Sequence, residues 1–478
     1  MSTPEIALLD RRHFLRRSGA GLGTIGLAQL MASETTGAGN TPAPRGSNPL
    51  TAKSPHFPAK AQRVIHIFLN GGPSHVDTFD PKPELTRRHG QRLPQPNLLT
   101  ERQTGTAMGS PFRFRRYGES GIEVSEIFAE VGAQIDDVCV VRSMMADFPN
   151  HEPSLMLMNC GVANVIRPSF GSWLTYGLGS ENQNLPGFFA MSPGGYPIKG
   201  TENWQSAFLP SAYQGTFVDT QRNSVDKLLD NIRNPRLDTT EQRRQLDTLQ
   251  QLNRLHAEQR DDADLFVSRI QLYEQAFRMQ AEASEAFDLS REPAHIHKLY
   301  GSSVQCQQIL IARRLVERGV RFVQLWHGAG QPWDNHDNIE ANHRRLAREC
   351  SQGIGALLSD LKQRGMLEST LVIIGGEFGR TPTVELDGSG TKAKFGRDHN
   401  HYGFSVCLAG GGIKGGTVYG ATDEFGFRAA ENPVHVHDLH ATLLQLLGFD
   451  HTRLTFRHAG RDFRLTDVHG RVIPELLA

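Results

Sequence analysis

Thr370-Leu371-Val372-Ile373-Ile374, followed at once by Gly375-Gly376-Glu377-Phe378-Gly379-Arg380, decides the fold. The run is short, apolar and without alternation, and it stops at a glycine pair, as a strand buried on both faces does. Residues 343–364 before it have helical spacing, and the same unit recurs around it. Residues 304–318 are helical in pattern and lead into 321–326 (RFVQLW), residues 404–408 (FSVCL) form another strand, and 437–447 a closing helix. Upstream, 63–69 (RVIHIFL), 138–141 and 188–190 read as further buried strands, and 121–133 and 168–178 as helices. Helices alternating with apolar strands predict an α/β fold with a largely parallel central sheet. In such sheets chemistry gathers beyond the C-terminal ends of the strands.

The flanks differ in character. Residues 217–300 are rich in Glu, Gln, Arg and Leu, with Leu246, Leu249, Leu252 and Leu255 at helical spacing, and read as a helical insertion. At the N-terminus, Arg11-Arg12-His13-Phe14-Leu15 precedes a weakly apolar, Gly-rich run to Ala32. That is the pattern of a twin-arginine export signal over 1–32. Residues 33–58 read as a disordered leader, and 59–478 as the domain. The expected partner during export is the twin-arginine translocase, and the expected destination the periplasm, the cell surface or the medium. Lys plus Arg (51) equals Asp plus Glu (51), which argues against a nucleic-acid partner. No run after the signal is long and apolar enough to span a bilayer. Cys139, Cys160, Cys306, Cys350 and Cys407 are scattered, without metal-site spacing or a disulfide framework.

Each strand end is followed by residues of metal-ligand type. After 63–69 come Ser74-His75-Val76-Asp77; after 321–326, His327 and Asp334-Asn335-His336; after 370–374, Glu377; and before 404–408, Asp398-His399. Carboxylates with imidazoles suit zinc first, then manganese, whereas calcium prefers oxygen alone. Singly, His75 and His327 are as readily loop histidines, and Asp77 a capping residue. Glu377 is different, because a buried carboxylate needs a partner: either Arg380 or a bound cation. Before the closing helix, Asp438 reads as an N-cap. The glycine cluster 409–416 (AGGGIKGG) lacks phosphate-loop spacing and reads as a turn between strands.

Five stretches, 68–85, 332–343, 375–382, 396–426 and 433–448, resemble an exported bacterial family labelled domain of unknown function 1501, itself sulfatase-like. More loosely, the order of acids and histidines resembles the alkaline phosphatase superfamily. The resemblance implies a three-layer sandwich and a metal-dependent hydrolase of sulfate or phosphate esters, on a small-molecule or polysaccharide substrate. The implied ligands are Asp77, Asp334, His336, Glu377 and His399, around a divalent metal. Residues 147–151 (DFPNH) stand where related phosphodiesterases carry a nucleophile, so Asp147 and His151 are the implied catalytic residues, and Arg380 and Lys414 are candidates for holding the anionic substrate. Three departures stand out: Asn70 in place of an acid, Phe378 in place of a histidine ligand, and no nucleophilic hydroxyl or sulfatase-type cysteine. The last two favour, as an alternative, a binding or structural protein that keeps the fold without turnover.

Overall fold

The computed structural model describes residues 49–222, 228, 236–257 and 263–478. The expected signal over 1–32 and the leader up to residue 48 lie outside them. Along Arg63–Phe68 the side chains of Ile65 and Ile67 enter one core, while those of Val64 and Phe68 enter another. Thr370–Gly375 and Phe322–Trp326 divide in the same way. A strand apolar on both faces must be covered on both, and it is. Helices Val304–Glu317 and Ile339–Gln363 line one core; His151–Cys160, Phe170–Leu178 and Val436–Leu446 line the other. The result is three layers, α/β/α.

Among the described residues the central sheet has nine strands. In spatial order they are Thr417–Tyr419, Val138–Met145, Phe404–Ala409, Thr370–Gly375, Arg63–Phe68, Phe322–Trp326, Phe188–Met191 and Thr216–Val218, with Val434–His435 beside the end of Val138–Met145. Phe404–Ala409 runs antiparallel to both its neighbours, and every other pairing is parallel. Next to this sheet lies a small antiparallel one, Ala393–Asn400, Gly379–Leu386 and Thr104–Ala107.

Three local expectations change. Residues 121–133 are not one helix: Ile122–Ser125 is a strand paired with Phe114–Tyr117, and only Ala129–Gly132 is α-helical. The alternation of buried Ile122 and Val124 is the strand period. The end of the expected leader is packed rather than loose: Leu50 is buried, Lys53 N–H donates to Leu178 O (2.8 Å), and His56 N–H to Gly448 O (2.9 Å). His435, not Asp438, caps the closing helix, with Asp438 returning to His435 N–H at the third position. Within 217–300, helices occupy Thr239–Ala257 and Ala263–Phe287. The five cysteines are free and buried.

Candidate metal centre

The chain direction of each strand decides what reaches the site. Parallel strands deliver Asn70, Asp147, His327 and Glu377 from their C-terminal ends. Phe404–Ala409 runs the other way, so its beginning lies at that same edge, and His399 arrives just before it. By the same reversal the loop after it, with Lys414, emerges at the opposite edge. There Gly416 N–H donates to Val138 O (3.0 Å), at the start of a parallel strand. Lys414 is exposed and remote, which corrects its expected role on the substrate.

Three imidazoles meet at one carboxylate oxygen. Nε2 of His336, His399 and His151 lie 2.8, 3.1 and 3.3 Å from Asp334 Oδ1. Each ring is fixed from behind. His151 Nδ1 donates to Glu377 Oε1 (2.7 Å), His336 Nδ1 to Glu385 Oε2, and His399 Nδ1 to Pro149 O (2.6 Å), with Glu101 Oε2 also at 2.8 Å. Carboxylates and carbonyls only accept, so each Nδ1 carries a proton and Nε2 is the ring atom turned inward. Ring nitrogens anchored in this way are the usual support of metal-bound histidine.

The electrostatics favour further positive charge at this point, beside the Arg380 guanidinium that already donates to Asp334 Oδ1. Burial pushes the His151 imidazole down, but Asp334 and Glu377 beside it raise it to about 9. His336 is likewise raised by Asp334 and Glu385 against burial, and the three histidines hold Asp334 well below the carboxylate range although burial opposes this. Either protons or a cation must separate the lone pairs from the carboxylate. His151 Nε2 and His336 Nε2 are buried without a hydrogen bond, despite their proximity to Asp334, and so is Asp398 Oδ1. Ligand atoms of His151, Asp334 and His399 lie within 4.8 Å of one another, as do those of His336, Asp398 and His399. Orphaned nitrogens and an orphaned carboxylate oxygen in one cluster fit a divalent ion of zinc or manganese type.

The remaining expected residues are placed differently. Glu377 is fully buried and, among the described residues, pairs with neither Arg380 nor a lysine; its oxygens accept from Gly71 N–H (2.9 and 3.2 Å) and from His151. It is an anchor for a ligand rather than one of the ligand groupings. Asp77 is turned away, with both oxygens on the Arg397 guanidinium (2.7 and 3.0 Å) and a further bond from Ser74 Oγ (2.6 Å). Arg380 is buried too: it donates to Gly72 O (2.9 Å), Arg397 O (3.2 Å) and Asp334 Oδ1 (2.6 Å), so its guanidinium is engaged by protein groups and ties the loops to the cluster. Asp147 is half exposed and meets His435 Nε2 at 3.1 Å, outside the cluster.

The departures have structural reasons. Asn70 donates to Gly328 O (3.0 Å) and Gly330 O (2.7 Å) while accepting from His327 N–H (2.9 Å). An aspartate could not make the first two bonds. Phe378 packs its ring 4.8 Å from that of His151 and 4.7 Å from that of His399, walling the cluster on its inner side. Close approach also needs two glycines. A Cβ at Gly71, whose φ is +111°, would meet Asp334 N at 2.5 Å, and one at Gly396 would meet His336 C at 2.1 Å. Glu385, Glu101 and Arg102 were not singled out from sequence; Asp398 was, as the acid of metal-ligand type next to His399.

Fold and site together define an α/β protein with a mostly parallel sheet and a carboxylate–imidazole cluster at its strand ends. A family model described as "Protein of unknown function (DUF1501)" matches residues 61–477, and the chain belongs to that family. No curated protein matches it. Among solved structures it is similar to the PsFucS1 sulfatase from Pseudoalteromonas sp. (13% identity over 81% of this chain and 68% of that one, TM-score 0.36). It is also similar to alkaline phosphatase from the Antarctic bacterium TAB5 (8%, 82% and 99%, 0.34). A third is the lipoteichoic acid synthase LtaP from Listeria monocytogenes (10%, 87% and 78%, 0.32).

Proposed function

We propose that this protein is a metal-dependent hydrolase of sulfate or phosphate esters, exported to the periplasm or cell surface. One observation carries the reading: three anchored imidazoles aim their Nε2 atoms at a single carboxylate oxygen. His151, His336, His399 and Asp334 would hold the ion, zinc before manganese or calcium, with Asp398 beside them. A divalent ion there supplies Lewis acidity to an ester oxygen and makes a water more acidic.

The chain's own residues do the rest. Asp334 and His336, 14% and 12% exposed against 6% for His151 and 2% for His399, mark the open side on which an ester enters. Phe378 keeps water from the inner side. The hydroxyls of Ser74, Ser143 and Thr381 donate to Asp77, Asn432 O and Thr383 O respectively. That arrangement favours attack by water over attack by a side chain. A site gathered from distant segments exists only in the folded chain, which suits a twin-arginine route that carries folded passengers. No helix among the described residues is long and apolar enough to cross a membrane.

The test is metal content of the purified protein, with hydrolysis of a panel of aryl sulfates and phosphates in zinc, manganese or calcium. Wild type is expected to hold divalent metal and turn over an ester, and His399→Ala to lose both. A wild-type chain without stoichiometric metal overturns the reading. The outward turn of Asp147 toward His435 favours a second reading, a metal-binding protein without turnover, which metal without hydrolysis across the panel would select.

A further inference from the structure

Charge is sorted by depth in this cluster. Glu377 and Asp398 are fully buried, and among the described residues neither has a lysine or arginine within ion-pair distance. Glu385 is as deeply buried, yet its Oε1 takes two cations, Arg102 Nη1 at 3.1 Å and Lys394 Nζ at 2.9 Å. The two cations share this one carboxylate oxygen, and Glu101 and Asp398 are the other anions that act on Arg102. Both cationic side chains stay partly open to solvent, 42% and 35% exposed. They are linked to the cluster through Glu385, whose Oε2 accepts from Nδ1 of His336, the most exposed of the three histidines.

Arg102 is held there by its backbone. Its N–H donates to Asp398 Oδ2 (2.6 Å), while the preceding Glu101 reaches His399. A guanidinium has five N–H donors and an ammonium three. Glu385 takes one contact from each, which leaves donors for a ligand.

We infer that Arg102 and Lys394 form the subsite that receives the tetrahedral oxyanion group of the substrate, in place of Arg380 and Lys414. The inference rests on the metal-centre reading above and deepens it. The inner carboxylates suit a cation, and the paired outer cations suit a sulfate or phosphate group bound beside it.

The experiment is calorimetric titration of inorganic sulfate, and separately of inorganic phosphate, into the metal-loaded full-length protein and its Arg102→Gln, Lys394→Gln and double variants. Arg102→Gln keeps the backbone bond to Asp398. Wild type is expected to bind at least one of the two anions, each single substitution to weaken that binding about tenfold, and the pair to remove it. Metal content should stay at the wild-type level, and Arg102→Lys should restore part of the affinity. The two titrations tell a sulfate subsite from a phosphate one. Wild-type anion affinity in the double variant overturns the inference, as does a metal-loaded wild type that binds neither anion. Metal content separately reports on the parent reading, and neither measurement requires turnover.

Discussion

Thr370–Gly375 and Gly396–Asn400 are both completely buried, but they are buried among opposite things. In the first, Leu371 and Ile373 face one apolar core and Val372 and Ile374 the other. In the second, Gly396-Arg397-Asp398-His399-Asn400 contains no apolar side chain, and its polar groups, Asp398 Oδ1 excepted, are placed against particular partners. The central sheet is held by burial that is additive and forgiving, whereas the small sheet is held by pairs that fail when one member is lost. Its job is to bring polar groups to one point, and it stays folded because most of them are matched there.

The largest difference should come from breaking one pair in the small sheet. Arg397→Met strands Asp77 in the interior and should cost about 3–5 kcal/mol, against about 0.5–1.5 kcal/mol for Ile373→Val in the central strand. Urea denaturation of the two variants compares them directly, and a smaller loss for Arg397→Met would remove the distinction.

Next in size is Glu377→Gln. If Glu377 positions His151 without binding metal, affinity falls roughly 10–100-fold and metal is still bound at saturation. Complete loss of binding, measured with a competing chelator, would make Glu377 a ligand.

Acid sharpens the comparison further. Burial lowers His66, His343 and His440 from 6.5 to about 3, and His401 to about 4. The geometry at His343 is consistent with a neutral ring: Ser74 N–H donates to its Nε2 (3.0 Å), so that nitrogen carries no proton in the folded chain. These groups are neutral when folded and take protons when unfolded, so their contribution is complete above about pH 6.5 and is lost as pH falls toward 3. Asp77, lowered by Arg397 against burial, adds a loss only below the ordinary carboxylate range. The urea midpoint should therefore drop between pH 7.5 and pH 5; an unchanged or rising midpoint contradicts the assignment. Smallest of all, Lys414→Ala should alter stability by less than about 0.5 kcal/mol and leave metal content untouched.

The same contrast explains what could be read from sequence. The strands of the central sheet announce themselves because double-sided burial leaves an unbroken apolar run. The Gly379–Leu386 and Ala393–Asn400 hairpin does not, because Arg380, Pro382, Glu385, Arg397 and Asp398 read as loop residues; its β structure comes from context, not composition. His336, His399 and Asp334 were legible as ligand types, and the structure brings them together. Lys414 was misplaced because the direction of Phe404–Ala409 cannot be read from its residues. Arg102 and Glu101 sit in a connection with no periodic signal, and only the folded chain places them over Asp398 and His399. Glu377 was recognised as a residue needing a partner, and it found Gly71 N–H and His151; Asp77 and Arg380, expected as a ligand and an anion-holding residue, pair with Arg397 and Asp334.

The most direct test of the account is an anomalous-difference map from crystals of the zinc-loaded protein. The account predicts a peak about 2.0–2.1 Å from Nε2 of His151, His336 and His399, with a carboxylate oxygen of Asp334 completing the site. A map with no peak within bonding distance of those three nitrogens would contradict it.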